Sequence, residues 1–230
     1  MTTTTGSTSN LADAELTVEA VLLDLDGTLV DSTPALIRAW SRWAVEHSVT
    51  REEFSRVVGH GLTSAAIVAA LVPADQVAAA HRRIDELEVA DVDGITALPG
   101  AREFVSGLPV DRWAIVTSGN RAVAQARIEA AALPVPPMLV TADDVRRGKP
   151  DPEPFLRGAE RLGIEPSRCL VVEDAPAGLA AARAAGMRSV AVTTHHSPAE
   201  LDADLIVEDL QNLRVEVDGT ALTIRLAGTA

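Results

Sequence analysis

Short apolar runs separated by helical spacing set the pattern of this chain. Ala20-Val21-Leu22-Leu23, Trp113-Ala114-Ile115-Val116, Met138-Leu139-Val140, Cys169-Leu170-Val171-Val172 and Ser189-Val190-Ala191-Val192 each read as a buried strand, with Leu205-Ile206-Val207 as one more. Between them, residues 101–108, 121–132, 154–162 and 176–185 carry apolar positions at helical spacing, the last run stopping at Gly186. Strands that alternate with helices at short intervals predict an α/β fold. Its core would be a Rossmann-like parallel sheet with helices on both faces.

Two segments break the alternation. From about Thr33 to Thr96 little reads as strand. Ala35, Leu36, Ala39, Trp40, Trp43 and Ala44 recur at helical spacing, and further helices are expected over residues 64–71 and 75–90. This block predicts a small α-helical cap inserted at 33–98 into a core made of 18–32 and 99–230. At the other end, Val215 and Val217 alternate with charges, Asp218-Gly219 is a turn pair, and Leu222, Ile224 and Leu226 alternate again. That is a hairpin, expected to extend the sheet at one edge. Residues 1–17 open with a Thr/Ser/Gly-rich stretch and are expected to be a disordered tail without the marks of a signal peptide.

Composition narrows the function. The chain has 230 residues, 47% of them hydrophobic, and 20 basic against 33 acidic residues give a net charge of −13. An acidic chain without a basic stripe is not expected to bind nucleic acid. No apolar run approaches the roughly 18 residues of a membrane span. The single cysteine, Cys169, lies within a strand-like run, which excludes an intrachain disulfide and fits a reducing cytoplasm.

The chemistry-bearing residues collect where predicted strands end. Asp24 and Asp26 follow the first strand and precede the Gly27 turn; carboxylates at i and i+2 can share attack and proton transfer. Thr117-Ser118-Gly119-Asn120 joins the second strand to a helix, offering a hydroxyl and free amides to an anion, though taken alone an ordinary helix cap explains it better. Lys149, between Gly148 and Pro150, can offset charge on a phosphoryl group. Glu173-Asp174 ends the Cys169 strand; adjacent acids favour a cation, and hard oxygen ligands suit Mg²⁺. In a parallel sheet these ends share one edge, so four weak signals converge on one crevice.

With these motifs in this order, Asp24-Leu25-Asp26-Gly27-Thr28, Thr117, Lys149 and Glu173-Asp174, the sequence resembles the haloacid dehalogenase superfamily of phosphohydrolases. Residues 141–145, 148–156 and 173–178 are similar to the helical-cap branch that includes β-phosphoglucomutases, 2-deoxyglucose-6-phosphatases and glycerol-phosphate phosphatases. The resemblance implies that Asp24 is the nucleophile of an aspartyl-phosphate mechanism and that Asp26 is its acid and base. It implies that Thr117, Ser118, Gly119 and Asn120 meet the phosphate or substrate, and that Lys149 neutralises charge. Mg²⁺ would be held by Asp24, Asp26 (through its backbone carbonyl) and Asp174, with Glu173 close by.

The cap would close over the crevice about hinges at Thr33 and 96–99, bringing Arg38, His60 and Gly61 to the substrate. The expected function is hydrolysis of a small phosphorylated metabolite, a sugar or polyol phosphate, by a monomer. A phosphosugar mutase is the alternative. Thr28 stands where such mutases usually carry Val, and Leu36 where they carry His, which disfavours it. A non-catalytic phosphate-binding protein of the same fold is the second alternative, and the intact set of acids and lysine argues against it.

Overall fold

A computed structural model describes residues 15–57 and 63–227. Six strands form a wholly parallel sheet: β2 (Ala20–Leu23), β5 (Trp113–Val116), β6 (Leu139–Val140), β7 (Cys169–Glu173), β8 (Arg188–Val192) and β9 (Leu205–Val207). Their spatial order is β6-β5-β2-β7-β8-β9. The centre of this sheet is apolar on both faces, as parallel strands covered on both sides must be. Val21, Leu23, Ile115, Leu170 and Val172 belong to the core on one face; Leu22, Ala114, Val116, Val171 and Phe155 form the core on the other.

Helices α5 (Ala101–Ser106), α6 (Arg121–Ala130), α7 (Glu153–Leu162) and α8 (Pro176–Ala184) connect the strands. The strand-and-helix alternation predicted from the apolar runs is therefore the architecture found. β2 sits centrally between β5 and β7, with Leu23 beside both Ile115 and Val172. That register puts Asp24, Thr117 and Glu173 side by side at one edge.

The stretch between β2 and β5 is helical: α1 (Thr33–Glu46), α2 (Arg51–Val57), α3 (Ser64–Leu71) and α4 (Val77–Ala90). It has its own apolar cluster of Ala39, Trp40, Trp43, Val68, Ala80, Ile84 and Leu87. Trp43 is fully buried and donates its indole N–H to the Ala80 carbonyl at 2.8 Å. Two short strands, β3 (Val30–Asp31) and β4 (Thr96–Ala97), pair antiparallel where the chain enters and leaves this block.

One helix was not foreseen, and two expectations are corrected. The α2 helix has no buried residue, so no apolar stripe announces it. Its mark is a capping box, in which Thr50 and Glu53 bond each other's backbone amides at 2.9 and 3.2 Å. The terminal hairpin, β10 (Leu213–Asp218) and β11 (Ala221–Leu226), does not extend the parallel sheet. It forms a separate antiparallel sheet with β1 (Glu15–Val18), Leu16 facing Ile224 and Val18 facing Leu222. Residues 15–17 thus belong to a strand and not to a tail: Leu16 and Val18 alternate inward and join the core beneath β2.

Candidate active site

The Asp24 loop is shaped by its backbone. The Leu25 carbonyl accepts from the amides of Leu29 and Val30, and Gly27 donates to the Val30 carbonyl at 2.8 Å. Gly27 has φ +87°, and a Cβ there would lie 2.2 Å from Asp174 Oδ2 and 2.7 Å from His195 Nδ1. Glycine is required both for the left-handed turn and for the close approach of the acidic residue opposite.

At the sheet edge, Asp24, Glu173 and Asp174 each offer a carboxylate oxygen, all within 4.8 Å of one another, and all three residues are buried. Lys149 reaches them from the loop before α7. Its ammonium donates to Asp24 Oδ1 at 2.5 Å, to Glu173 Oε1 at 2.8 Å and to the Val116 carbonyl at 3.0 Å. Burial works against the charge on Lys149, but Asp24 and Glu173 outweigh it and hold the ammonium above the usual lysine range. Burial likewise pushes the Asp24 carboxyl well above its ordinary value, with Lys149 opposing and Glu173 and Asp174 adding to the rise.

Glu173 is fixed on its other oxygen by the amides of Asp174 and Ala175, at 2.8 and 2.7 Å. Asp174 faces His195 at 2.9 Å, and the other nitrogen of that ring lies 3.2 Å from Thr33 Oγ1. Hard oxygen donors gathered this closely suit Mg²⁺ or another hard divalent cation.

Asp26 stands beside this cluster. Ser32 donates its hydroxyl to Oδ1 at 2.6 Å, and Arg127 donates to Oδ2 at 2.7 Å. Ser32, at the N-cap of α1, thus gives its hydroxyl to the acid and makes no side-chain cap of the helix. Thr117 is buried, and its hydroxyl accepts from the Gly119 amide at 3.1 Å. Asn120 caps α6, accepting from the Val123 amide at 2.9 Å.

A cavity of about 420 Å³ joins these groups, lined by Asp24, Asp26, Thr117, Ser118, Gly119 and Lys149 and roofed by Leu36, Trp40, Ser64 and Ile67. A second cavity of about 750 Å³ shares Thr63, Ser64, Thr117 and Ser118 with it and extends to Asn120, His81, Asp85 and Gln125.

The predicted core residues therefore meet at one crevice. Arg38 does not join them: it is bound to the Asp91 carboxylate at 2.7 Å and the Asp93 carbonyl at 2.6 Å, tying α1 to the segment that leaves the helical block. Sequence spacing placed it on α1 but could not say which way it faced. His60 and Gly61 lie outside the described residues. Arg127, Glu88 and His195, beside the acidic cluster, were missed, as were His81, Asp85 and Gln125 of the second cavity. Arg127 had a readable signal, since it interrupts the buried stripe of Val123, Ala124 and Ile128 on α6.

A family model described as haloacid dehalogenase-like hydrolase matches residues 18–186. Hexitol phosphatase A of Escherichia coli is 44% identical over 203 residues, covering 84% of this chain and 92% of the relative. Glycerol-1-phosphate phosphohydrolase 2 of Saccharomyces cerevisiae is 33% identical over 214 residues, covering 87% and 86%. A solved hydrolase from Pseudomonas syringae superimposes with a TM-score of 0.72 at 29% identity, over 84% of this chain and 94% of that one.

Proposed function

The chain belongs to the haloacid dehalogenase-like hydrolases and is a phosphomonoester hydrolase, and from that premise we propose that it releases phosphate from a polyol or sugar phosphate through an aspartyl-phosphate on Asp24. The observation that carries this reading is the Lys149 clamp. A buried ammonium bridges Asp24 and Glu173 in the lining of a cavity that Asp26 and Thr117 also line. A phosphate dianion cannot approach three carboxylates unless their charge is offset.

In the first step an oxygen of Asp24 attacks phosphorus and the bond from phosphorus to the ester oxygen breaks. Asp26 gives a proton to the departing alkoxide. In the second step water attacks the aspartyl-phosphate, Asp26 takes its proton, and Asp24 and inorganic phosphate are regenerated. Thr117, with the backbone of Ser118 and Gly119, orients the phosphoryl oxygens. Asp24 and Asp174, with the Asp26 carbonyl and Glu173 close by, would hold Mg²⁺, which when bound supplies positive charge to the phosphoryl oxygens. The helices above the crevice exclude bulk water.

The leaving group would extend into the second cavity, where Asn120, His81, Asp85 and Gln125 offer polar partners to a chain of hydroxyls. The high identity to a hexitol phosphatase supports a polyol phosphate over a larger ester. The test is phosphate release across a panel of hexitol, glycerol and hexose phosphates, with and without Mg²⁺, with Asp24→Asn as the blank. Release from polyol phosphates that disappears in Asp24→Asn and on chelation supports the reading. Silence on the whole panel, or an active Asp24→Asn, overturns it.

A further inference from the structure

Arg127 is 6% exposed, in the middle of the apolar face of α6. Packing alone would be better served there by an aliphatic residue, because removing a guanidinium from water costs several kcal/mol unless it is fully paired. Its fork is divided between two acids from different parts of the fold. One nitrogen donates to Asp26 Oδ2 at 2.7 Å, and another to Glu88 Oε2 at 2.8 Å. Glu88 lies on α4 of the helical block, one turn beyond the buried Ile84, and burial pushes its carboxyl above the ordinary range against the pull of Arg127. With Ser32 on Oδ1, Arg127 leaves neither oxygen of Asp26 free to rotate.

We infer that Arg127 is a positioning residue that aims the Asp26 carboxyl at the leaving oxygen and makes that aim depend on the helical block above, through Glu88. The inference rests on the phosphatase reading, in which Asp26 protonates the departing alkoxide. A planar fork with two separately directed N–H groups can hold one acid by reference to another, which a lysine cannot do as rigidly. When α4 is in place, Glu88 fixes Arg127 and Arg127 fixes Asp26. When α4 moves away, the guanidinium loses one of its two anchors and Asp26 loses its orientation. Proton delivery is thereby confined to the covered crevice, where bulk water does not compete.

The leaving group supplies the readout. An alkoxide needs the proton of Asp26 as the ester bond breaks, whereas p-nitrophenolate leaves without one. The parameter kcat/KM reports transfer to Asp24 alone, before water enters. Arg127→Gln combined with Glu88→Gln removes both charges, so neither is left buried alone. The expected result is that the ratio of kcat/KM on a hexitol phosphate to that on p-nitrophenyl phosphate falls by about 30-fold, a partial loss of the roughly 10²- to 10⁴-fold that general acid catalysis contributes.

Arg127→Lys, which keeps the charge and reaches one acid, should retain an intermediate ratio; it carries the same test should the double variant not fold. A ratio equal to wild type, whether both activities persist or fall together, overturns the inference and leaves Arg127 a structural residue. Wild-type protein silent on p-nitrophenyl phosphate and on the whole panel of hexitol, glycerol and hexose phosphates overturns the phosphatase reading itself, a different outcome from an unchanged ratio.

Discussion

Replacing Lys149 by Met tests how the site tolerates its own acids. The ammonium accounts for two close ion pairs, 2.5 Å to Asp24 and 2.8 Å to Glu173, and it is buried with them. Without it, carboxylate oxygens within 4.8 Å face each other uncompensated. At an effective dielectric near 20, each such pair repels by about 3.5 kcal/mol. Breaking a buried pair by removing one partner costs about 3–5 kcal/mol, which sets the expected loss of stability in Lys149→Met.

The protein has one escape, which is to bind a proton. Burial already raises the Asp24 carboxyl above 3.8, and Lys149 is what holds the rise down. In the variant the folded-state value climbs further while the unfolded value stays where it was. The folded variant then binds a proton that the unfolded chain releases, so its stability falls as pH rises. Urea unfolding in EDTA should therefore show a deficit of about 3–5 kcal/mol at pH 8 that narrows at pH 5. Mg²⁺ should recover part of it at pH 8 by binding only the folded form. A deficit below about 1 kcal/mol at pH 8, or one that widens as pH falls, would refute the claim that Lys149 counterbalances a crowded set of anions.

Three further outcomes are expected. Asp24→Asn should unfold in urea no earlier than wild type in EDTA, because it removes one of the crowded charges, yet release no phosphate; measurable turnover would remove Asp24 from its role. Gly178→Ala should lose about 2 kcal/mol and about tenfold or more in kcat, since its Cβ would lie 1.8 Å from Glu173 Oε1 and push that side chain off Lys149; wild-type stability and kinetics would show that Glu173 has room to move. Asp144 is partly buried, which opposes its charge, but Arg161 and the amide and hydroxyl of Thr141 bring its carboxyl from 3.8 to about 2. That contribution is present above 3.8 and lost as pH falls through about 2. Asp144→Asn should therefore cost about 1 kcal/mol at pH 7, after discounting for solvent screening, and progressively less from about pH 4 down to pH 2 in urea melts, and a gap that persists at pH 2 would contradict the ion-pair account.

The legibility of this fold follows the physics of burial. A parallel strand covered on both faces must be apolar throughout, so β2, β5 and β7 stand out as continuous runs, and their ends can be found to within a residue. Where burial is weak the pattern fades. The α2 helix has no buried face, and its only mark was the cap formed by Thr50 and Glu53. The hairpin was legible because alternation and an Asp-Gly turn are local. Its sheet was not, because the third strand comes from the opposite end of the chain, Val18 against Leu222. Pairing over that separation leaves no trace in either segment's own periodicity.

The same division explains which parts of the site could be read. The acids Asp24, Glu173 and Asp174 sit on or directly after strands, so knowing where a strand ends places them at the sheet edge. The cations arrive differently. Lys149 spans 125 positions to reach Asp24, and Arg127 spans 101 to reach Asp26, each on a long side chain from a loop or helix whose direction the strand pattern does not set. Lys149 could be singled out because Gly148 and Pro150 flank it. Arg127 had a subtler mark, a charge inside an apolar helical stripe, which a protein retains only when a buried counter-charge is present. Arg38 lacked that mark, and it pairs at the surface with Asp91. An arginine at a buried helical position is thus the stronger sequence pointer to a site than one on an exposed helix face, and the kinetic ratio proposed for Arg127 measures whether that pointer reaches the chemistry.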